Sequence, residues 1–339
     1  MPTSHEQRAK GRGMVLGKFM PPHLGHQYLV DFARHYVDEL AIVVEHVRDE
    51  PISSALRFAW MRELFPNCDV IHLLDENPQN PSEHPEFWEI WKRSLERVLP
   101  SAPDFVFASE SYGAQLAQVL GAEFIAVDPA RSIMPVSGTA VRRDPWANWH
   151  YLPECVRPHF VKRVCVFGPE STGKSTLTKR LAEHFGTIAV PEYARTLLEL
   201  KSGDLSEPDL WRIARGQLAS EDALARKAHR LLFCDTDALT TAIWSKVLFD
   251  RCDGRIAAEA LQRRYELTLL LDVDVPWVAD PVRYLPSARR SFFERCRAAL
   301  ERQQRPYVIV RGTWEERWEC AVGAVEQVIL RGALASKNS

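Results

Sequence analysis

At 339 residues, with 43 Lys and Arg against 45 Asp and Glu and a formal net charge of -2, the chain is long enough for two ordinary cores and has no general attraction for nucleic acid or an anionic membrane. No apolar run is long enough to span a bilayer. Seven Cys are scattered without a C-x-x-C pair, several inside apolar runs, which points to reduced thiols and a cytoplasmic protein. Residues 1–13 are polar and basic with no apolar segment, so a disordered tail is expected there rather than a signal peptide. Strand-like and helical runs then alternate: Met14–Gly17, helical His26–Val37, Leu40–His46, helical Ser54–Phe65, Val70–Leu74, helical Glu86–Val98, Phe105–Ser109, a short helix Gly113–Leu120 and Phe124–Val127. This order predicts a parallel sheet covered by helices in a first α/β domain over 14–145. Pro145, Pro153 and Pro158 lie among Trp146, Trp149 and Tyr151, too aromatic a mixture for a flexible linker, so 146–161 is expected to pack between domains. A second α/β domain is predicted over 162–332. Its strands are Arg163–Phe167, Thr187–Val190, Leu231–Cys234, Leu267–Leu271 and Tyr307–Val310; its helices include Lys174–Phe185 and one within Glu207–Arg230, and a tail follows over 333–339.

Gly168-Pro169-Glu170-Ser171-Thr172-Gly173-Lys174-Ser175 matches G-x-x-x-x-G-K-[ST] directly after a strand and opens a helix that continues through Thr176. Such a loop turns backbone N–H groups toward phosphate, Lys174 reaches the β and γ phosphates, and Ser175 can hold Mg²⁺. The strand ending at Cys234 delivers Asp235 to a sheet edge where a metal-binding carboxylate belongs; Asp237 could instead cap the next helix. Glu192 is placed to meet a hydroxyl acceptor or act as its base, with Arg195 as its ion-pair partner in the plainer reading. Arg283, Arg289 and Arg290 form a candidate lid, although Arg290 alone reads as a solvated helix start, and Trp277 before it could stack on a substrate.

In the first domain Gly17-Lys18-Phe19-Met20-Pro21-Pro22-His23-Leu24-Gly25-His26 follows a strand and opens a helix, putting two imidazoles where nucleotide phosphates favour binding. Nucleotidyl transfer needs mainly donors that position a triphosphate, and Lys18, His23 and His26 suit that role. A zinc site lacks a third ligand nearby, so no zinc is expected. Val136-Ser137-Gly138-Thr139-Ala140-Val141-Arg142 supplies a second half: hydroxyls at Ser137 and Thr139 and the planar fork of Arg142. Trp88 and Trp91, at i and i+3, read either as a stacking pair for a cationic ring or as a core stripe.

The G-K-F-x-P-x-H-x-G-H element, the S-G-T-x-x-R element and the following P-loop together resemble the bifunctional NadR-type nicotinamide-nucleotide adenylyltransferase/ribosylnicotinamide kinases over about 14 to 330. Supporting stretches are Ser54–Met61, Trp88 with Trp91, Ser109-Glu110, Val127-Asp128-Pro129 with Arg131, Pro191–Arg195 and Asp235-Thr236-Asp237. The resemblance implies a Rossmann-like nucleotidyltransferase domain of the HIGH type followed by a P-loop kinase domain. It implies that ATP meets Gly17, Phe19, His23, Gly25, His26, Ser137, Gly138, Thr139 and Arg142 in the first domain, and that nicotinamide mononucleotide meets Lys18, Arg57, Trp88 and Trp91. In the kinase domain it implies ATP on Gly168 through Thr176 with Arg283 and Arg289, riboside on Glu192, Tyr193, Arg195, Asp235, Asp237 and Trp277, and Mg²⁺ on Ser175 and Asp235. The catalytic set would be Lys18, His23, His26, Arg142, Lys174 and Glu192. ATP, nicotinamide riboside, nicotinamide mononucleotide and NAD are the expected partners, with no nucleic acid and no membrane, and a homo-oligomer is left open. Some members of the family carry an N-terminal helix-turn-helix, for which the few residues before the first strand leave no room, so no operator binding is expected. Two other readings stay open: a pantetheine-phosphate type adenylyltransferase fused to another kinase, and a nucleotide-responsive sensor.

Overall fold

A computed structural model describes residues 11–202, 204–280, 283 and 287–335. The chain divides into two compact units between Val156 and Arg157. Of the expected tails, 1–10 and 336–339 lie outside the described residues.

The first unit runs β1 (Arg12–Gly17), α1 (Leu24–Tyr36), β2 (Glu39–Glu45), α2 (Ser54–Leu64), β3 (Asp69–Leu73), α3 (Phe87–Val98), β4 (Phe105–Ala108), α4 (Tyr112–Leu120), β5 (Glu123–Ala126) and α5 (Gly138–Arg143). Its strands form one parallel sheet in the order β3-β2-β1-β4-β5, with Val15 opposite Ile42 on one side and Phe107 on the other. Parallel strands buried on both faces need apolar residues at every position. Val15, Ile42, Val44 and Phe107 pack in one cluster with α1 and α2 residues, while Met14, Leu16, Val43 and Val106 join α3 and α4 residues in a second. Losing one such side chain, as in Phe107→Ala, is expected to cost about 3–5 kcal/mol. β1 begins at Arg12 rather than Met14, because Arg12 N–H donates to Asp104 Oδ2 at 2.8 Å and its guanidinium meets Glu39 at 3.0 Å. In the segment 146–161, Trp149, Leu152, Cys155 and Val156 are buried, and the division between the units falls within it.

The second unit runs α6 (Arg157–Phe160), β6 (Lys162–Phe167), α7 (Lys174–His184), β7 (Ile188–Val190), α8 (Tyr193–Leu200), α9 (Glu207–Ala225), β8 (Leu231–Asp235), α10 (Ala238–Phe249), α11 (Gly254–Gln262), β9 (Leu267–Leu271), α12 (Arg289–Arg302), β10 (Tyr307–Val310) and α13 (Trp314–Ala335). The parallel sheet order is β10-β9-β6-β8-β7, so the phosphate-loop motif leaves a central strand. α9 opens with a Ser206–Asp209 capping box and ends before Arg230, whose left-handed φ of 66° a helix cannot accommodate. α13 continues to Ala335, past the expected start of the tail. Among the described residues no disulfide is formed. Among the described residues no helix is long and apolar enough to cross a membrane.

Candidate active sites

Both units open a cavity at the carboxyl ends of their strands, where the order of a parallel sheet reverses and ligands bind. The first, about 880 Å³, is lined by Gly17, Lys18, Phe19, His23, Gly25, His26, Ser137, Gly138, Thr139 and Arg142, which brings both sequence motifs to one wall. Their approach is close. A Cβ at Gly138 would lie 2.7 Å from the Met20 carbonyl, and Arg142 donates to that same carbonyl as well as to Thr139 Oγ1 at 3.2 Å. Ser137 caps α5 by accepting from Ala140 N at 3.1 Å.

His23 and His26 are helix caps and cavity groups at once. His26 N–H donates to His23 Nδ1 at 3.4 Å, His23 N–H donates to His26 Nδ1 at 3.3 Å, and the rings stack with centroids 3.7 Å apart. An Nδ1 that accepts leaves the proton of a neutral imidazole on Nε2. Burial, followed by the Arg131 charge, lowers the His23 pKa to about 4; burial, His23 and Arg131 hold His26 well below its ordinary value. Both rings are therefore neutral Nε2–H donors.

At the other end of this cavity Lys18 pairs with Glu50 at 3.3 Å. Trp88 and Trp91 both line the wall, but not equally. Trp91 is buried in the core and donates to the Pro78 carbonyl at 2.9 Å, whereas Trp88 is half-buried. Arg57 does not line the cavity: fully buried, it donates to the Ile52 and Lys18 carbonyls and faces Glu50 at 3.4 Å, so it shapes the loop carrying Lys18. Glu45, Gln79 and Tyr112 also line this region, and their positions on a strand end, a loop and a helix start gave no local motif to read. Tyr112 donates to the Leu16 carbonyl at 2.8 Å.

The second cavity, about 160 Å³, is lined by Glu170, Ser171, Thr172, Gly173, Lys174, Ser175, Thr176, Glu192, Arg195 and Arg283. Gly168, at φ 134°, crosses β9 so closely that a Cβ would sit 2.8 Å from the Leu271 carbonyl. Three cations take the outward carbonyls of the loop: Lys174 donates to Pro169 O at 2.8 Å, Arg289 to Ser171 O at 3.1 Å and Arg317 to Thr172 O at 3.0 Å. With its carbonyls held outside, the loop keeps its N–H groups for an anion.

Two carboxylates stand beside Lys174. Glu192, after β7, has its pKa raised to about 7 by burial against the opposing pull of Lys174, with Asp235 adding repulsion. Asp235, ending β8, is also raised by burial, opposed by Lys174 and a hydrogen bond from Ser175. Its Oδ1 is buried without a hydrogen-bond partner, which is the donor a divalent cation arriving with a nucleoside triphosphate would use. Among the described residues no group of three or more His, Cys, Asp or Glu is gathered as for a bound metal ion.

Asp237 lines the cavity as expected and is at the same time the N-cap of α10, accepting from Thr240 N at 2.9 Å with one oxygen and from Arg305 with the other. Several other expectations for this cavity are corrected. Tyr193 turns away from the cavity onto α9, where a Cβ at Gly216 would lie 2.2 Å from its ring. Trp277 does not line the cavity; Arg283 and Arg289 each lie 5.8 Å from its ring. Arg195 pairs with Asp280 at 2.9 Å and Glu199 at 3.3 Å rather than with Glu192. Of the candidate lid, Arg283 reaches the cavity and lies 3.4 Å from Ser171 Oγ, while Arg289 acts through the loop backbone. Arg290 pairs with Asp272 at 2.9 Å on the surface. Pro281, Val282 and Tyr284 to Pro286 of that segment lie outside the described residues.

Leu198, Leu205, Leu210, Ile213, Trp244 and Leu248 make an apolar side of the second cavity that no motif announced. Gln217, buried in α9, accepts from Tyr193 N at 3.0 Å and reaches the Asp235 and Thr236 carbonyls at 3.5 Å, bridging the turns that carry Glu192 and Asp235.

Residues 163–317 match the family model of an AAA domain. A solved structure described as NadR protein in complex with NR has a TM-score of 0.78 at 24% identity, covering 94% of this chain and 96% of its own. Another, NadR protein in complex with NAD and AMP-PNP, has a TM-score of 0.75 at 23% identity over the same shares. Those likenesses are of fold. The "Trifunctional NAD biosynthesis/regulator protein NadR" of Escherichia coli (strain K12) is 33% identical over 302 residues, 83% of this chain and 74% of the relative. Identity of that extent over that share of both proteins makes the chain a member of the NadR family.

Proposed function

We propose that the second unit phosphorylates the 5'-hydroxyl of nicotinamide riboside with ATP, and that the first joins nicotinamide mononucleotide to the AMP part of a second ATP, giving NAD and pyrophosphate. The observation that carries this reading is the presence, in one chain, of the Glu192 carboxylate with the phosphate loop around one cavity and of the paired histidines with Arg142 around a separate one. Family membership and the ligands of the solved relatives support it.

In the kinase step Glu192 takes the hydroxyl proton as the oxygen bonds to the γ-phosphorus and the bond to the β-phosphate oxygen breaks. Lys174 and the loop N–H groups hold the charge that develops on the transferring phosphoryl group and on ADP. Mg²⁺ accompanying ATP would be held by Ser175 and Asp235 and would neutralise phosphate charge. The apolar side receives the pyridine ring, with Trp244 available to stack on it.

Adenylyl transfer has a phosphate oxygen as nucleophile and pyrophosphate as leaving group, so no strong base is needed. His23, His26 and Arg142 bind the triphosphate, and neutral imidazoles suffice as donors. Lys18 and Trp88 meet the mononucleotide.

Purified chain with Mg-ATP is to be started separately from riboside and from mononucleotide, with products resolved by chromatography. Mononucleotide, ADP and NAD from the first, and NAD with pyrophosphate from the second, are expected. Absence of both mononucleotide and NAD, with turnover of another acceptor, would sink the reading.

A further inference from the structure

Glu45 is the last residue of β2, at the edge of the sheet over which the first cavity opens, and is only 7% exposed although it lines that cavity. A buried carboxylate on a cavity wall is costly unless something in the cavity uses it. Its surroundings are specific. Gln79 Nε2 donates to Glu45 Oε2 at 3.2 Å and to the Asn77 carbonyl at 3.1 Å. Both partners can only accept, so this end of the amide is its nitrogen, and both of its hydrogens are engaged. Gln79 therefore offers the cavity its carbonyl oxygen, and Glu45 offers its second oxygen: the wall presents acceptors.

Lys18 and Arg57 favour the ionised form of Glu45 against the opposing effect of its burial, but neither pairs with it. Lys18 pairs with Glu50 at 3.3 Å, and Arg57 is turned to the Ile52 and Lys18 carbonyls and to Glu50. Trp88 and Trp91, flat surfaces suited to a cationic ring, line the same region.

On the adenylyltransferase reading above, we propose that Glu45, oriented by Gln79, determines substrate choice in the first unit by admitting a pyridinium mononucleotide that bears a carboxamide and rejecting one that bears a carboxylate. The amide NH2 supplies two donors to a wall of acceptors. A carboxylate supplies none and meets a like charge at short range, and a site built to receive donors discriminates strongly against a ligand without them.

The test uses the full chain with Mg-ATP and compares kcat/KM for nicotinamide mononucleotide and nicotinate mononucleotide. The unaltered protein is expected to favour the amide by about 100-fold or more. Glu45→Gln, which keeps the shape but removes the charge and adds a donor, is expected to shrink that ratio by about tenfold or more. Because the ratio is taken within one preparation, a lower fraction of folded protein does not move it. If Glu45→Gln does not fold, Glu45→Ala is read by the same ratio. Near-equal use of the two substrates by the unaltered chain, or a shift smaller than tenfold in the variant, overturns the inference. Dinucleotide from neither substrate overturns the adenylyltransferase reading and this inference with it.

Discussion

Arg317, near the start of α13, donates to the carbonyl of Thr172 at 3.0 Å and so fixes the phosphate loop from a helix 145 residues away in the chain. The same guanidinium donates to the Gly312 and Asp272 carbonyls and to Asp274, with almost no exposure. Arg317→Ala is expected to lower stability of the second unit by about 2–4 kcal/mol and to lower kinase kcat/KM for ATP by about tenfold or more. Denaturant melts paired with assays of both activities check this, since adenylylation of the mononucleotide should persist.

Glu192 gives the kinase step a pH signature. With its pKa raised to about 7, the carboxyl is protonated below that pH and cannot accept the hydroxyl proton. Acceptor kcat/KM is expected to fall about tenfold per unit below pH 7 and to level off above it. Glu192→Gln should lose about 100-fold or more of the rate, together with the inflection. A variant that kept the inflection would assign it to another group.

For the paired histidines the expectation runs the other way. Because both pKa values are depressed, that of His23 to about 4, neither imidazole is expected to take up a proton as the pH falls through the ordinary histidine range in the ligand-free protein. Histidine NMR titration, with the signals identified by their disappearance in His23→Asn and His26→Asn, would show protonation near 6.5 if this electrostatic account were wrong. His26→Ala is expected to abolish NAD formation from mononucleotide and leave riboside phosphorylation largely intact.

Gly138→Ala tests the meeting of the two motifs of the first unit. The new methyl would sit 2.7 Å from the Met20 carbonyl, and backbone atoms have little room to retreat. Adenylyl transfer is expected to fall about tenfold or more, from loss of near-attack geometry. Lys174→Ala is its counterpart: riboside phosphorylation should be abolished while NAD still forms from mononucleotide.

The strand and helix order and both phosphate motifs were legible because their signals are local: an apolar period, or glycines and a lysine at fixed spacing. Side-chain direction was not. Tyr193, adjacent to Glu192, points to Gly216, and Arg57, on a helix whose neighbours mark the family, turns inward to backbone carbonyls. Residue type identified what each could do, but only the packing of α9 and α2 decides which way each faces. Arg317 and Gln217 left no signal, since their partners are carbonyls and amides that every residue possesses. Asp237 was read both ways, and it is both a cap bonded to Thr240 and Arg305 and a residue of the cavity lining.

The aliphatic side of the kinase cavity, from Leu198 to Leu248, bears on a reaction the enzyme must avoid. Water is chemically as able as a sugar hydroxyl to accept a phosphoryl group, and it is far more abundant. A water molecule against leucine and isoleucine gives up hydrogen bonds that the wall cannot return, while a hydroxyl carried in on a ring covering that wall does not. That side of the cavity thus disfavours solvent as a competitor for the γ-phosphoryl group, and slow hydrolysis of ATP without acceptor, followed by phosphate release, is the expected result.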